Sequence, residues 1–211
     1  MGQLPDLPEA RRRLELALGS LYHDRWVLGF LRGGCLQPIV SSEITRRFMQ
    51  RHPLMPLSRK ALYERRPMVV NALVGDGGSG NDYDWELDWP ALLYAPVVGI
   101  GQRPVGLLIL GSRDDHWYTE EDVAYAHTLG VTLAPMVAAL RRPLSRLNEK
   151  ELVVAQLLSH GFSHQEIARA MNTDEGRAKS LAEKVARRLQ VVQPEDLVLP
   201  PIKVRRISWQ D

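Results

Sequence analysis

Asn148 with Glu151, and Ser163 with Glu166, each set a short polar residue three positions ahead of a glutamate. That spacing is a capping box, which starts a helix by satisfying two of its orphan N–H groups reciprocally. Two such starts in quick succession, separated by Gly161, confine this stretch to short helices. Leu152, Ala155 and Leu158 supply an apolar face after the first start, and Ile167, Ala168 and Met171 after the second. Residues 172–174 read as a turn, with Thr173 or Asp174 capping a third helix that runs to about Leu189. A short helix, a polar turn and a longer helix make the helix-turn-helix arrangement.

The third helix carries the chemistry. At 3.6 residues per turn, Ala178, Ala182, Val185 and Leu189 gather on one side. Arg177, Ser180, Lys184, Arg187 and Arg188 gather on the other, with Lys179 toward the flank. One face is core and the other is cationic. A helix fits the major groove of duplex DNA, where Arg and Lys bond guanine edges while other cations neutralise phosphates and fix the register. An ordinary solvated helix also shows a basic face, and here Leu181 and Glu183 interrupt it.

Charge placement agrees with a polyanionic partner for the C-terminal part. From residue 141 onward there are 13 Lys and Arg against 9 Asp and Glu, within a chain of net charge +2, so the preceding residues are net negative. The single cysteine, Cys35, excludes an intrachain disulfide and leaves a dithiol redox couple or a cysteine-rich zinc site one thiol short. The six histidines are scattered, and His160 and His164 face each other only across a turn. Neither a signal peptide nor an uninterrupted apolar run of about 20 residues is evident, so a cytoplasmic location is expected.

Ahead of residue 141 the pattern alternates between sheet and helix. Residues 7–22 form an amphipathic helix with Leu14, Leu18 and Leu21 on one face. Residues 25–31 and 35–40 read as a hairpin around Gly33-Gly34, followed by a short helix over 42–50. A helix over 58–66 ends at Pro67, and 68–72 is a short strand. The glycine-rich run 75–84 is a loop, because a phosphate cradle needs a helix start and usually a lysine after it. Strands 93–100 and 104–112 pair through Gly101-Gln102-Arg103. Thr119 then caps a long apolar helix over 123–140, which Pro135 should kink or whose packing it should delay. The order predicts an α+β domain with an antiparallel sheet covered by helices.

Two resemblances stand on these residues. The segment 92–140, LLYAPVVGIGQRPVGLLILGSRDDHWYTEEDVAYAHTLGVTLAPMVAAL, resembles the closing half of a GAF domain. Val105, Gly106, Leu108, Leu110 and Ser112 fit its V-G-x-L-x-L-x-S strand, and Thr119, Glu121 and Asp122 its helix start. The run 61–71 resembles an earlier helix and strand of that family, with Asn71 where Asp is frequent. The segment 147–191 resembles the LuxR-type DNA-binding domain without a gap. Leu147, Glu151, Val154, Leu157, Leu158, Gly161, Ser163, Glu166, Ile167, Ala168, Glu175, Gly176, Lys179, Leu189 and Val191 carry the match. It departs from that pattern at Asn148-Glu149, Arg177-Ala178 and Leu181. This resemblance implies a recognition helix starting near Glu175, with Lys179 among its DNA-facing positions.

The expectation is therefore a GAF-like sensory or dimerisation domain over 1–142 and a small all-α helix-turn-helix domain over 143–211. Together they make a DNA-binding transcription regulator without enzymatic activity. Its expected DNA contacts are Arg177, Lys179, Ser180, Lys184, Arg187 and Arg188. Double-stranded DNA is the expected partner, and a homodimer through the 7–22 and 123–140 helices would suit paired half-sites. The effector is a small molecule or a protein, and no resident cofactor is assigned. Trp85, Trp89 and Tyr94 are candidate ligand contacts, since aromatic faces attract cations and planar groups, although the same rings fill cores. A protein-interaction or assembly module that keeps the helices and does not read DNA is the alternative.

Overall fold

A computed structural model describes residues 7–42, 51–71, 91–112 and 117–189. In chain order its elements are α1 (Leu7–Leu18), β1 (Arg25–Arg32), β2 (Cys35–Ser41), β3 (His52–Pro53), α2 (Pro56–Glu64) and β4 (Met68–Asn71). They continue with β5 (Ala91–Gly99), β6 (Arg103–Ser112), α3 (Glu120–Leu144), α4 (Glu149–Ser159), α5 (His164–Ala170) and α6 (Glu175–Leu189). Residues 43–50 of the short helix expected over 42–50, and the glycine-rich loop over 75–84, lie outside the described residues. The chain divides into two compact units, Arg13–Ala139 and Met1–Arg12 with Leu140–Asp211. Sequence pattern instead places the first twelve residues with the sheet.

The first unit is the expected α+β architecture. Six antiparallel strands form one curled sheet in the order β3-β2-β1-β6-β5-β4. Gly33 and Gly34 both take positive φ, +56° and +76°, as a two-residue hairpin turn requires. The β5–β6 connection turns at Gly101, whose φ is +71°. Paired strand positions share a face, so the register sorts the core into two layers. Val27, Leu36, Leu92, Tyr94, Leu107 and Ile109 line one face with Ala61 and Leu62 of α2. On the other face, a Cβ at Gly106 would lie 2.4 Å from the Gly29 carbonyl oxygen of β1 and 3.1 Å from Val137 of α3. The bare glycine lets the helix settle against the sheet.

α3 is longer at both ends than the helix expected over 123–140. It continues through Pro135 as one helix, and its length and composition would allow it to cross a membrane, with mean hydropathy 1.5 over its apolar window. Thr128, Gly130 and Thr132 break any continuous apolar run, but the lack of charge from residue 123 to 140 raises the average. In this fold its inner residues Ala126, Leu129, Leu133, Ala134 and Val137 are buried. The helix start is locally encoded, as the Thr119 N–H donates to the Asp122 carboxylate at 2.8 Å and the Asp122 N–H to Thr119 Oγ1 at 3.3 Å.

Asn71 fastens the approach to that helix. Its Nδ2 donates to the Tyr118 carbonyl and its Oδ1 accepts from the Tyr118 N–H, both at 3.1 Å. Only an amide offers a donor and an acceptor in that arrangement. Asn71→Asp should lower the stability of this unit by about 1–3 kcal/mol, because the donor is lost and a carboxylate oxygen faces a carbonyl. Thermal unfolding tests this, and an unchanged midpoint would contradict it.

In the second unit the helix boundaries follow the caps. The Asn148 N–H donates to Glu151 Oε2 at 2.9 Å while the Glu151 N–H donates to Asn148 Oδ1 at 3.0 Å. Ser163 and Glu166 repeat the exchange at 2.8 and 3.3 Å. α4 ends where Gly161 takes φ +81° and the Phe162 N–H reaches back to the Leu157 carbonyl. α5 ends likewise, with Asn172 at φ +51° and the Thr173 N–H on the Ala168 carbonyl. Both are left-handed C-terminal caps that satisfy orphan carbonyls.

Candidate nucleic-acid interface

The candidate surface is the outward side of α6. Asp174 starts this helix by accepting the Arg177 N–H at 2.8 Å. Glu175 in the first turn and Arg187 and Arg188 in the last complement the helix dipole. Ala178, Ala182, Val185, Ala186 and Leu189 are buried, which matches the side read as core. Arg177, Lys179, Ser180, Lys184, Arg187 and Arg188 are all exposed. Leu181 is half-buried, so it packs beside this surface more than it interrupts it.

The tertiary structure divides these cations into two groups. Glu151 of α4 is fully buried, and both α6 residues Lys184 and Arg188 reach it. Lys184 Nζ lies 3.2 Å from Glu151 Oε1, and Arg188 Nη1 donates to Oε2 at 2.6 Å. The same Arg188 nitrogen donates to the Arg146 carbonyl at 3.0 Å. Burial alone pushes the Glu151 pKa up. The Asn148 N–H, Lys184 and Arg188 outweigh that, and the carboxyl is held below its ordinary value of 4.5. Lys184 and Arg188 therefore clamp α6 to α4, and Glu151 offsets much of their field.

Arg177, Lys179 and Arg187 make no ion pair among the described residues. With the Ser180 hydroxyl they are the groups of α6 left to meet an anion. Ser180 and Arg187, seven residues apart, share the outermost row; Lys179 sits on one flank and Arg177 on the other. Glu183 lies among them and subtracts from the positive field. Such a surface can neutralise phosphates and reach base edges with two or three side chains. Glu166, by contrast, is committed to its cap. The Ser163 hydroxyl and N–H both donate to it and hold its pKa below the ordinary value.

The candidate ligand contacts of the other unit separate. Trp85 and Trp89 lie outside the described residues. Tyr94 is 1 % exposed within the α2-facing core, where it serves as packing area. Among the described residues no group of three or more His, Cys, Asp or Glu is placed to hold a metal. His160 caps the end of α4, with Nδ1 donating to the Gln156 carbonyl at 2.7 Å, and His164 opens α5. The Glu151 clamp escaped sequence reasoning, which marked Glu151 as the cap partner of Asn148 and as one position of the LuxR-type match.

Residues 9–138 match the family described as GAF domain. The fold is similar to the GAF domain/HD domain protein from Geobacter sulfurreducens, with TM-score 0.53 and 16% identity over 66% of this chain and 96% of that one. It is also similar to the GAF domain of a phosphoenolpyruvate-protein phosphotransferase from Coxiella burnetii, with TM-score 0.52 and 20% identity over 68% and 88%. A type II free methionine-R-sulfoxide reductase from Thermoplasma acidophilum aligns with TM-score 0.50 and 17% identity over 64% and 97%. No curated protein matches the chain. At these identities the likeness is one of fold.

Proposed function

Because this chain belongs to the GAF domain family, whose members are sensory and regulatory domains, we propose that it is a cytoplasmic, non-enzymatic transcription regulator. In this reading the GAF unit receives a small-molecule or protein effector, and a LuxR-type helix-turn-helix unit contacts double-stranded DNA as part of a homodimer. The observation that carries it is α6. This helix buries one face completely, is clamped by Glu151, and presents Arg177, Lys179, Ser180 and Arg187 outward.

The clamp sharpens which residues test this reading. Lys179→Ala and Arg187→Ala should weaken binding to a mixed-sequence duplex without changing the thermal midpoint. Each should also lower the slope of log affinity on log salt by about 0.9 per lost phosphate contact. Lys184→Ala should act mainly through stability. Fluorescence anisotropy at several salt concentrations measures all three. Salt-independent binding, or none, would overturn the DNA reading and favour an assembly module built on the same helices.

A further inference from the structure

The outermost row of α6 runs through Gly176, Ser180, Glu183 and Arg187, spaced at four, three and four residues. All four are exposed, and the buried Ala178, Ala182 and Val185 lie on the opposite side. Gly176 contributes no side chain, so a surface docked against this row meets a hydroxyl, a carboxylate and a guanidinium in that order. The carboxylate is the exception on a face otherwise suited to phosphates.

Among the described residues the Glu183 carboxylate makes no hydrogen bond or ion pair, although Lys179 lies one turn before it and Arg187 one turn after. The other acids of this unit with a part in its structure are differently placed. Asp174 caps α6, and Glu151 and Glu166 are held in their capping boxes. Glu183, in the middle of its helix, serves as neither cap nor clamp.

On duplex DNA a carboxylate is repelled by every phosphate, and the group it can bond in the major groove is a base amino group. Cytosine N4 is the donor that Glu and Asp ordinarily take, whereas Arg and Lys take guanine O6 and N7. Arg187 lies about 6 Å from Glu183 along the helix axis, roughly two base steps. We propose that Glu183 is a specificity-determining residue, which accepts from cytosine N4 in the major groove while Arg187 and Lys179 supply the attraction. It rests on the proposed DNA contact of α6, and it reverses the role that charge alone gives Glu183, that of an interruption. A cation in its place would hold duplex more tightly and read it less well, because phosphate attraction carries no sequence information. An acid that is left unpaired against the wrong base rejects that base.

Selection of bound duplexes from a randomised pool by the full chain, followed by fluorescence anisotropy on the enriched sequence and its single-base variants, tests this. The parent should enrich a sequence with a position at which cytosine is preferred about tenfold. Glu183→Gln should move that preference to adenine, whose N6 and N7 a glutamine amide bonds in bidentate fashion, and leave the other positions unchanged. Glu183→Ala should lose the preference at that position alone and bind random duplex more tightly than the parent, because a repulsive charge is gone. Both variants should keep the parent's thermal midpoint, since the side chain is exposed and unpaired. If the parent and Glu183→Gln enrich the same sequence, or the parent binds duplex and enriches none, the proposal is overturned and the DNA reading stands. If neither the parent nor Glu183→Ala binds duplex at low salt, the DNA reading itself fails, and the proposal with it.

Discussion

Glu151→Ala is expected to destabilise the α4–α6 unit by about 2–4 kcal/mol. The substitution removes the half of the α4 capping box in which Glu151 accepts the Asn148 N–H, while the backbone N–H of residue 151 still bonds Asn148 Oδ1. It also removes the shared acceptor of Lys184 and Arg188. Truncating one side of a buried ion pair costs about 3–5 kcal/mol when the remaining charge stays buried. Here both cations keep substantial exposure, 47% and 40% of their side chains, so water recovers part of that cost. A helical unit this small has a core that supplies about 3–5 kcal/mol in total, so the variant should leave it largely unfolded near body temperature. Hydrogen exchange at α4 and α6 amides reads this unit alone, and protection within a factor of about five of the parent, roughly 1 kcal/mol, would sink the prediction.

Acid should have a related effect. The Glu151 pKa is lowered in the folded state, so its contribution is full above the ordinary value of 4.5 and declines as pH falls through the folded value. Glu166 has the same sign. Protection at α4 and α6 should therefore decrease below about pH 4.5, and Glu151→Gln should flatten that dependence.

The second large effect is at Gly130. Helix propensity alone predicts that Gly130→Ala stabilises α3 by about 1 kcal/mol. The tertiary structure reverses the sign, since an added Cβ would lie 2.4 Å from the Pro96 carbonyl oxygen and 3.3 Å from its carbon. Both are backbone atoms of β5 and cannot rotate away. α3 would have to withdraw from the sheet, loosening Leu129, Leu133 and Val137 together. Overpacking of this kind costs about 1–3 kcal/mol, and more for a larger side chain. The expected net loss is about 1–2 kcal/mol for Gly130→Ala and about twice that for Gly130→Val. A higher thermal midpoint for Gly130→Ala would show that propensity outweighs the contact.

Sequence alone determined what depends on neighbours within a turn or two. The caps at Asn148, Ser163 and Thr119, the turn at Gly33-Gly34 and the buried row Ala178, Ala182, Val185, Leu189 were all legible, and the cap of α6 was narrowed to Thr173 or Asp174, of which Asp174 accepts the bond. Each rests on a hydrogen bond or helical period spanning a few residues. The β5–β6 pair and the α+β class were legible for the same reason. Tertiary structure decided what depends on residues distant in the chain. It placed Tyr94 in the core, and it brought Pro96 against Gly130. It also joined Arg188 to Glu151 across 37 residues, separating the clamping cations of α6 from those left for an anion. A helical wheel fixes which side a cation is on. Which of them already has a partner depends on the packing of another helix against it.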